Sequence, residues 1–175
     1  MKYYLISIVF LLAMSGCGND DAPASKAVYF DLKAYLAGEI SRLKSQNPDV
    51  EKTVMVNGSA ETRKLRISDW NKELSAFSDA DLNKAAWKGL FIVSKAGDTE
   101  IYQADEEKVP VKELRVTRTN NRVSAVRVLL RTRNSLYTST DTLSYVPDSL
   151  YEVRKSQEIR LLNRKNYRIT GLFKH

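Results

Sequence analysis

Residues 111–133 read VKELRVTRTNNRVSAVRVLLRTR, with apolar residues at every second position over two runs. Leu114 and Val116 alternate with charged or polar neighbours, as do Val126, Val128 and Leu130. A period of two is the signature of strands with one face buried, so Val111 to Arg118 and Arg122 to Thr132 read as strands joined through Thr119-Asn120-Asn121. The apolar positions of both are even-numbered. A shared buried face therefore needs paired positions that sum to an even number, and the loop around Asn120-Asn121 is expected to hold an odd number of residues.

The alternation continues on both sides. Downstream it gives Leu136 to Tyr145, Leu150 to Lys155, Glu158 to Leu162 and Tyr167 to Phe173; upstream it gives Lys88 to Ser94 and Thr99 to Ala104. The connections Ala96-Gly97-Asp98, Pro147-Asp148 and Asn163 to Asn166 are short, and short connections join antiparallel neighbours. Leu143, Tyr145, Tyr151, Val153, Ile159, Leu161, Tyr167 and Ile169 are all odd-numbered and form the matching apolar face. Further upstream, Asn57-Gly58 supplies the positive φ angles of a tight hairpin between Val50 to Val56 and Ser59 to Ile67. Tyr29, Leu32, Leu36, Ile40 and Leu43 recur at helical spacing until Asn47-Pro48 stops the pattern. Ser68 or Asp69 can cap a short second helix whose Trp70, Leu74 and Phe77 share one side, with Leu82 and Trp87 extending the cluster. The expected class is α+β: an antiparallel β meander packed on one face by an N-terminal amphipathic helix and a short second helix.

At 175 residues, 43% apolar and 28% charged, the chain suits one globular domain, expected over residues 27–175. Residues 1–16 are composed differently. Lys2 supplies a positive charge, Leu5 to Ala13 form an apolar run broken only by Ser7, and Met14-Ser15-Gly16 places small residues before Cys17. That is the grammar of a secretory signal, and the run is too short for the ~20 residues of a membrane-spanning helix. Residues 17–26 are rich in Gly, Asn, Asp, Ala, Pro and Ser and read as a tether.

Met14-Ser15-Gly16-Cys17 resembles the lipobox of bacterial lipoproteins, in which the thiol is acylated and the leader removed. The family usually carries Leu where this chain has Met14, an apolar residue of similar volume. Cys17 is the only cysteine, which excludes an intramolecular disulfide and leaves the thiol for lipid attachment. Gly18 stands where proteobacterial lipoproteins carry an inner-membrane retention Asp, so the resemblance implies the outer membrane.

The alternate positions of the strands carry Arg115, Arg127, Arg131, Arg133, Arg154, Arg160 and Arg168. Residues 111–175 hold fourteen Lys or Arg against five Asp or Glu, whereas residues 1–110 hold fourteen against sixteen, so the basic charge is segregated. A planar guanidinium grips phosphate or carboxylate with two parallel hydrogen bonds, which makes this set a candidate anion-binding face. The competing reading is a solvated face that confers solubility and protects sheet edges. For an exported chain the anions at hand are lipopolysaccharide phosphates, anionic lipid head groups or acidic glycans, an envelope protein is the other expected partner, and nucleic acid is not expected.

Catalytic raw material is scarce. The only histidine is His175, which leaves no histidine for a triad or a His-rich metal site. Asp79 with Asp81, and Asp105-Glu106-Glu107, lack calcium-loop spacing, and no phosphate-cradling glycine loop is present. No cofactor or metal is expected, and the chain is read as a non-enzyme. Trp70, Phe77, Trp87, Tyr145, Tyr151 and Tyr167 are read as core in preference to a pocket lining.

Asn134-Ser135-Leu136-Tyr137-Thr138, Leu143-Ser144-Tyr145, Pro147-Asp148-Ser149-Leu150-Tyr151 and Gln157-Glu158-Ile159-Arg160-Leu161-Leu162 together look like a family of uncharacterised Bacteroidetes lipoproteins. A helix laid into a curved antiparallel sheet is also similar in outline to the lipoprotein carriers LolA and LolB. The expectation is a lipid-anchored envelope protein that binds an anionic envelope component or a partner protein; the alternative is a carrier with an apolar groove between sheet and helix. Replacing Cys17 by Ser should abolish acylation and leave the leader uncut. Intact-mass measurement of the two proteins checks this, and an unlipidated but normally processed wild type would refute it.

Overall fold

The computed structural model describes residues 27–174. The leader expected at 1–16, the tether expected at 17–26 with Cys17, and His175 lie outside the described residues. Among the described residues nine strands form one antiparallel sheet, accompanied by three α-helices and a single 3-10 turn at Ala85–Trp87.

The chain enters through α1 (Leu32–Gln46), then the hairpin β1 (Asp49–Val56) and β2 (Ser59–Arg66), then α2 (Trp70–Glu73) and α3 (Ser75–Asp79). Seven strands follow: β3 (Ile92–Ala96), β4 (Thr99–Gln103), β5 (Val111–Thr119), β6 (Arg122–Arg133), β7 (Tyr137–Val146), β8 (Leu150–Ile159) and β9 (Lys165–Lys174). The spatial order is β2-β1-β9-β8-β7-β6-β5-β4-β3. The last seven strands are a meander, and the hairpin adds beside β9 by pairing Val50 with Phe173 and Val54 with Ile169. Strands β2 and β3 are thus the two edges, and residues 67–91, which contain α2 and α3, connect one edge to the other.

Local chemistry sets the helix ends. The Asp31 carboxylate accepts the Ala34 N–H at 2.8 Å, and Asn47 closes α1 in the left-handed region at φ 44°. Tyr29, expected within the helix, precedes it. Its hydroxyl accepts the N–H groups of Gly89 and Phe91, so it is anchored by those bonds and not by helical geometry. Asp69 caps α2, but the single second helix expected from Trp70, Leu74 and Phe77 is two short ones that meet at Leu74.

The even-sum register is observed, with Leu114 opposite Val128 and Val116 opposite Val126. The odd loop is not. Asn120 and Asn121 form a two-residue turn with φ of 51° and 64°, and the odd residue sits in a bulge between Thr117 and Arg118. Ser124 is the extra residue on β6, and its hydroxyl donates to the Thr117 carbonyl. Parity cannot distinguish an odd loop from an even loop plus a bulge. The Asn57-Gly58 hairpin forms as expected, with φ of 49° and 93°.

The stretches Leu150 to Lys155 and Glu158 to Leu162 are one strand, because Ser156 and Gln157 continue the ladder opposite Thr140 and Ser139. Leu161, expected on the apolar face, is 96% exposed in the turn beyond that strand.

The core cluster holds Leu32, Leu36, Ile40 and Leu43 of α1, Trp70 and Phe77 of the short helices, and Val126, Val128, Leu143, Tyr145 and Tyr151 of the sheet. Tyr145 faces Tyr151 across β7 and β8, and Tyr151 faces Gly171 across β8 and β9. A Cβ at Gly171 would lie 2.2 Å from the Tyr151 ring, so only glycine fits there. Leu36 is wholly buried and Ile40 nearly so. Truncation of either to Ala should cost ~2 to 5 kcal/mol by loss of transfer energy and creation of a cavity. Urea denaturation is the measurement, and unchanged midpoints for both variants would remove α1 from the core.

Candidate functional site

The positions that alternate with the buried ones make a second, polar face, and the register shows what stands beside each arginine. Arg127 of β6 is opposite Ser144 of β7, Arg131 is opposite Thr140, and Arg133 is opposite Thr138. From the other side of β7, Arg154 of β8 is opposite Thr142. The central strand thus presents four hydroxyls, Thr138, Thr140, Thr142 and Ser144, each facing one guanidinium. Directly opposed residues on one face have Cβ atoms about 5 Å apart, so each arginine and its hydroxyl can reach the same ligand atom or adjacent ones.

Like charges also meet. Arg115 is directly opposite Arg127, and Arg154 is directly opposite Arg168, pairings that are unfavourable in isolation. Carboxylates offset them. Glu113 binds Arg115 at 2.6 and 3.0 Å, and Glu152 contacts both Arg154 and Arg168. The hydrogen bonds from Arg115 hold the Glu113 carboxyl below its ordinary value, with Arg127 adding to the same field. Arg131 and Arg133 make no ion pair among the described residues. Arg160 is not on the ladder: it lies beyond the end of β8, where its N–H donates to the Leu136 carbonyl. The seven-residue face of the sequence reading is thus reduced to six arginines on the sheet. Three are paired to carboxylates.

Arg131, Arg133, Thr138 and Thr140 line a cleft of about 760 Å³, whose opposite wall includes Asp105 and Glu107 from the loop after β4. One acidic cluster of the sequence is therefore brought up to the arginines. The other is not, since the Asp81 carboxylate is used locally to accept the Asn83 N–H. Among the described residues, no group of three or more His, Cys, Asp or Glu side chains could hold a metal ion.

Two buried polar clusters went unread in the sequence. The Tyr145 hydroxyl donates to Glu39 of α1 at 2.7 Å, and Glu39 also receives Arg42 at 2.8 Å. The Tyr151 hydroxyl donates to Glu73 of α2 at 2.8 Å, and Glu73 also receives Lys52 at 2.7 Å. Both hydroxyls titrate well above their ordinary value of 10.0, because burial opposes the phenolate and the neighbouring carboxylate bonds the neutral form. Beside the second cluster is a groove of about 540 Å³ lined by Leu65, Ile67, Ala76, Val153 and Ile169. Trp70 and Phe77 are also core, whereas Trp87 and Tyr167 are only partly buried.

No family model, no curated protein and no solved structure matches this chain. Its site must be read from its own geometry. Among the described residues no helix is long and apolar enough to cross a membrane. The hydroxyl row was visible as an alternation at 138, 140, 142 and 144, but its meaning depended on which strand lay beside β7 and in what register. Glu39 and Glu73 carried no signal, since exposed glutamates on helices are common.

The raised tyrosines give a pH dependence of defined sign. A phenol whose folded value exceeds its unfolded one stabilises the fold fully below pH 10 and progressively less above it. Tyr102, pushed up to about 12 by burial and by its bond to Glu100, acts in the same direction. Thermal midpoints should therefore fall steeply above pH 10. The fall should be shallower in Tyr145→Phe and Tyr151→Phe, and equal slopes in all three proteins would exclude these hydroxyls as the cause.

Proposed function

We propose that this chain is a non-enzymatic envelope lipoprotein, tethered through lipid on Cys17 to the outer membrane, whose polar sheet face binds a phosphate-bearing envelope component. In this reading α1 and the short helices cover the other face of the sheet. The observation that carries the proposal is the pairing of Arg127, Arg131, Arg133 and Arg154 with Ser144, Thr140, Thr138 and Thr142. Guanidinium groups supply charge and bidentate geometry, and the hydroxyls add donors that a merely solubilising face has no need of. The cleft beside Arg131 and Arg133 also holds Asp105, Glu107 and Glu113, so the phosphate is assigned to the open arginine and hydroxyl ladder and not to that cleft.

A second reading, a carrier of acyl chains, is favoured by the groove of about 540 Å³ between β8, β9 and α2. Its Leu65, Ile67, Val153 and Ile169 would hold an aliphatic chain, with Lys72 at its margin for an anionic head, since Lys52 is held by Glu73. Mass spectrometry of lipids extracted with the purified Arg127→Glu, Arg131→Glu variant separates the two readings: a carrier still returns stoichiometric lipid, and an anion-binding face loses it.

Arg127 and Arg131 are exposed. Reversal of both to Glu should leave unfolding midpoints within the effect of about 0.5 kcal/mol usual for surface substitutions. Binding of the Cys17→Ser chain to lipopolysaccharide or phosphatidylglycerol vesicles should weaken in that variant. It should also weaken with salt in the parent, since exposed charges are screened over ~10 Å at 0.1 M. Sedimentation with vesicles measures both, and absence of salt-sensitive binding by the parent would reduce the arginines to a solubility role.

A further inference from the structure

The end of the sheet opposite the Pro147-Asp148 turn is built from three hairpin turns and the β4–β5 loop, and two of the hairpin turns carry apolar side chains that no described residue covers. Leu136 between β6 and β7 is 68% exposed, and Leu161 and Leu162 between β8 and β9 are 96% and 60% exposed. The two turns are joined, because the Arg160 N–H donates to the Leu136 carbonyl at 2.9 Å, directly after Ile159 pairs with Tyr137. The third turn, Asn57-Gly58, is bonded to the start of β9 through Asn166.

Leu161 is anomalous in its backbone as well. Its φ is +68°, and every other described residue with positive φ is Asn, Asp or Gly. A bulky side chain in the left-handed region is strained, and a wholly exposed leucine gains nothing from the fold to offset that strain. Turns of this kind elsewhere in the chain use the residues that fit them. Residues 158–165 carry Arg160, Arg164 and Lys165 against Glu158, which pairs with Arg164, while Arg133 beside the other turn shares its cleft with Asp105 and Glu107 of the loop after β4.

We infer that this end of the sheet inserts into a bilayer containing anionic lipid, with Leu136, Leu161 and Leu162 entering the acyl boundary and Arg133, Arg160, Arg164 and Lys165 contacting phosphate head groups. Apolar side chains ringed by cations are what an interfacial anchor requires, since burial and head-group attraction then act together. The inference shares only Arg133 with the arginine and hydroxyl ladder, the rest of which occupies the face of the sheet and not its end. It does not rest on lipidation of Cys17.

The test uses the full chain with Cys17→Ser, so that neither an acyl chain nor a second thiol contributes, and with Ser135→Cys carrying an environment-sensitive fluorophore. Vesicles of phosphatidylcholine with phosphatidylglycerol should shift the emission to the blue, and brominated acyl chains should quench it. Pure phosphatidylcholine should do so far less, and a fluorophore at Ser94 on the distant edge strand should not respond. The pair Leu161→Asn with Leu162→Ser should lower vesicle affinity by about tenfold or more. Because Asn relieves the strained backbone, the same variant should melt at or above the temperature of its parent. Arg127→Glu with Arg131→Glu should keep the full blue shift and acyl-chain quenching at saturating lipid, even with its affinity reduced, which separates this inference from the proposed anion-binding face. No blue shift with either vesicle, undiminished binding by the leucine variant, a lowered melting temperature in that variant, or self-association through the leucines without lipid would each overturn it.

Discussion

Tyr145 and Tyr151 stand opposite each other at the middle of the sheet, both fully buried, and the arrangement of the chain depends on that pair. Each ring meets an aromatic partner from outside its strand, Tyr145 through Tyr35 and Phe77, Tyr151 through Trp70 and Phe173. Each hydroxyl ends on a carboxylate of a helix, Glu39 or Glu73, which a cation then balances. Burial of a phenol without a partner costs a few kcal/mol, so these bonds select one position for each helix among the many that hydrophobic contact alone would tolerate. Gly171 completes the constraint by making room for the Tyr151 ring.

The same pair sets the polar face. Strand side chains alternate with a period of two, so any register that places Tyr145 against Tyr151 also places Thr142 against Arg154 and Ser144 against Glu152. A slip of one residue would bury arginines, and a slip of two would separate the tyrosines from their carboxylates. The arginine and hydroxyl ladder is therefore a consequence of core packing, and its residues can vary chemically without disturbing the fold. The opposed arginine pairs show that freedom in use: direct opposition of like charges is unfavourable, and Glu113 and Glu152 limit the repulsion without removing the excess of positive charge.

The sheet is also polar along its strands. Towards the Pro147-Asp148 turn the buried face is filled by Tyr145, Tyr151, Phe173 and Val50. Towards the other end the same face carries Gln157, Lys155 and the half-exposed Val54 and Val56, and the strands close in turns bearing Leu136, Leu161 and Leu162. The break in apolar alternation at Ser156-Gln157 follows from this: a strand that runs beyond the buried region keeps its hydrogen bonds while losing its reason to be apolar.

The features legible along the chain were periodic or local. Alternation at 114, 116, 126, 128 and 130 identified two strands and their even register; Asn57-Gly58 identified a hairpin; the spacing of Leu32, Leu36, Ile40 and Leu43 identified a helix. These signals are read within a few residues and survive any tertiary arrangement. Pairing of β1 with β9, the bulge at Ser124, the division of the second helix at Leu74 and the loss of Arg160 from the ladder were decided only by the folded chain. Each depends on which distant backbone supplies the hydrogen bonds and on where the buried region ends, and neither is encoded by the spacing of neighbouring residues.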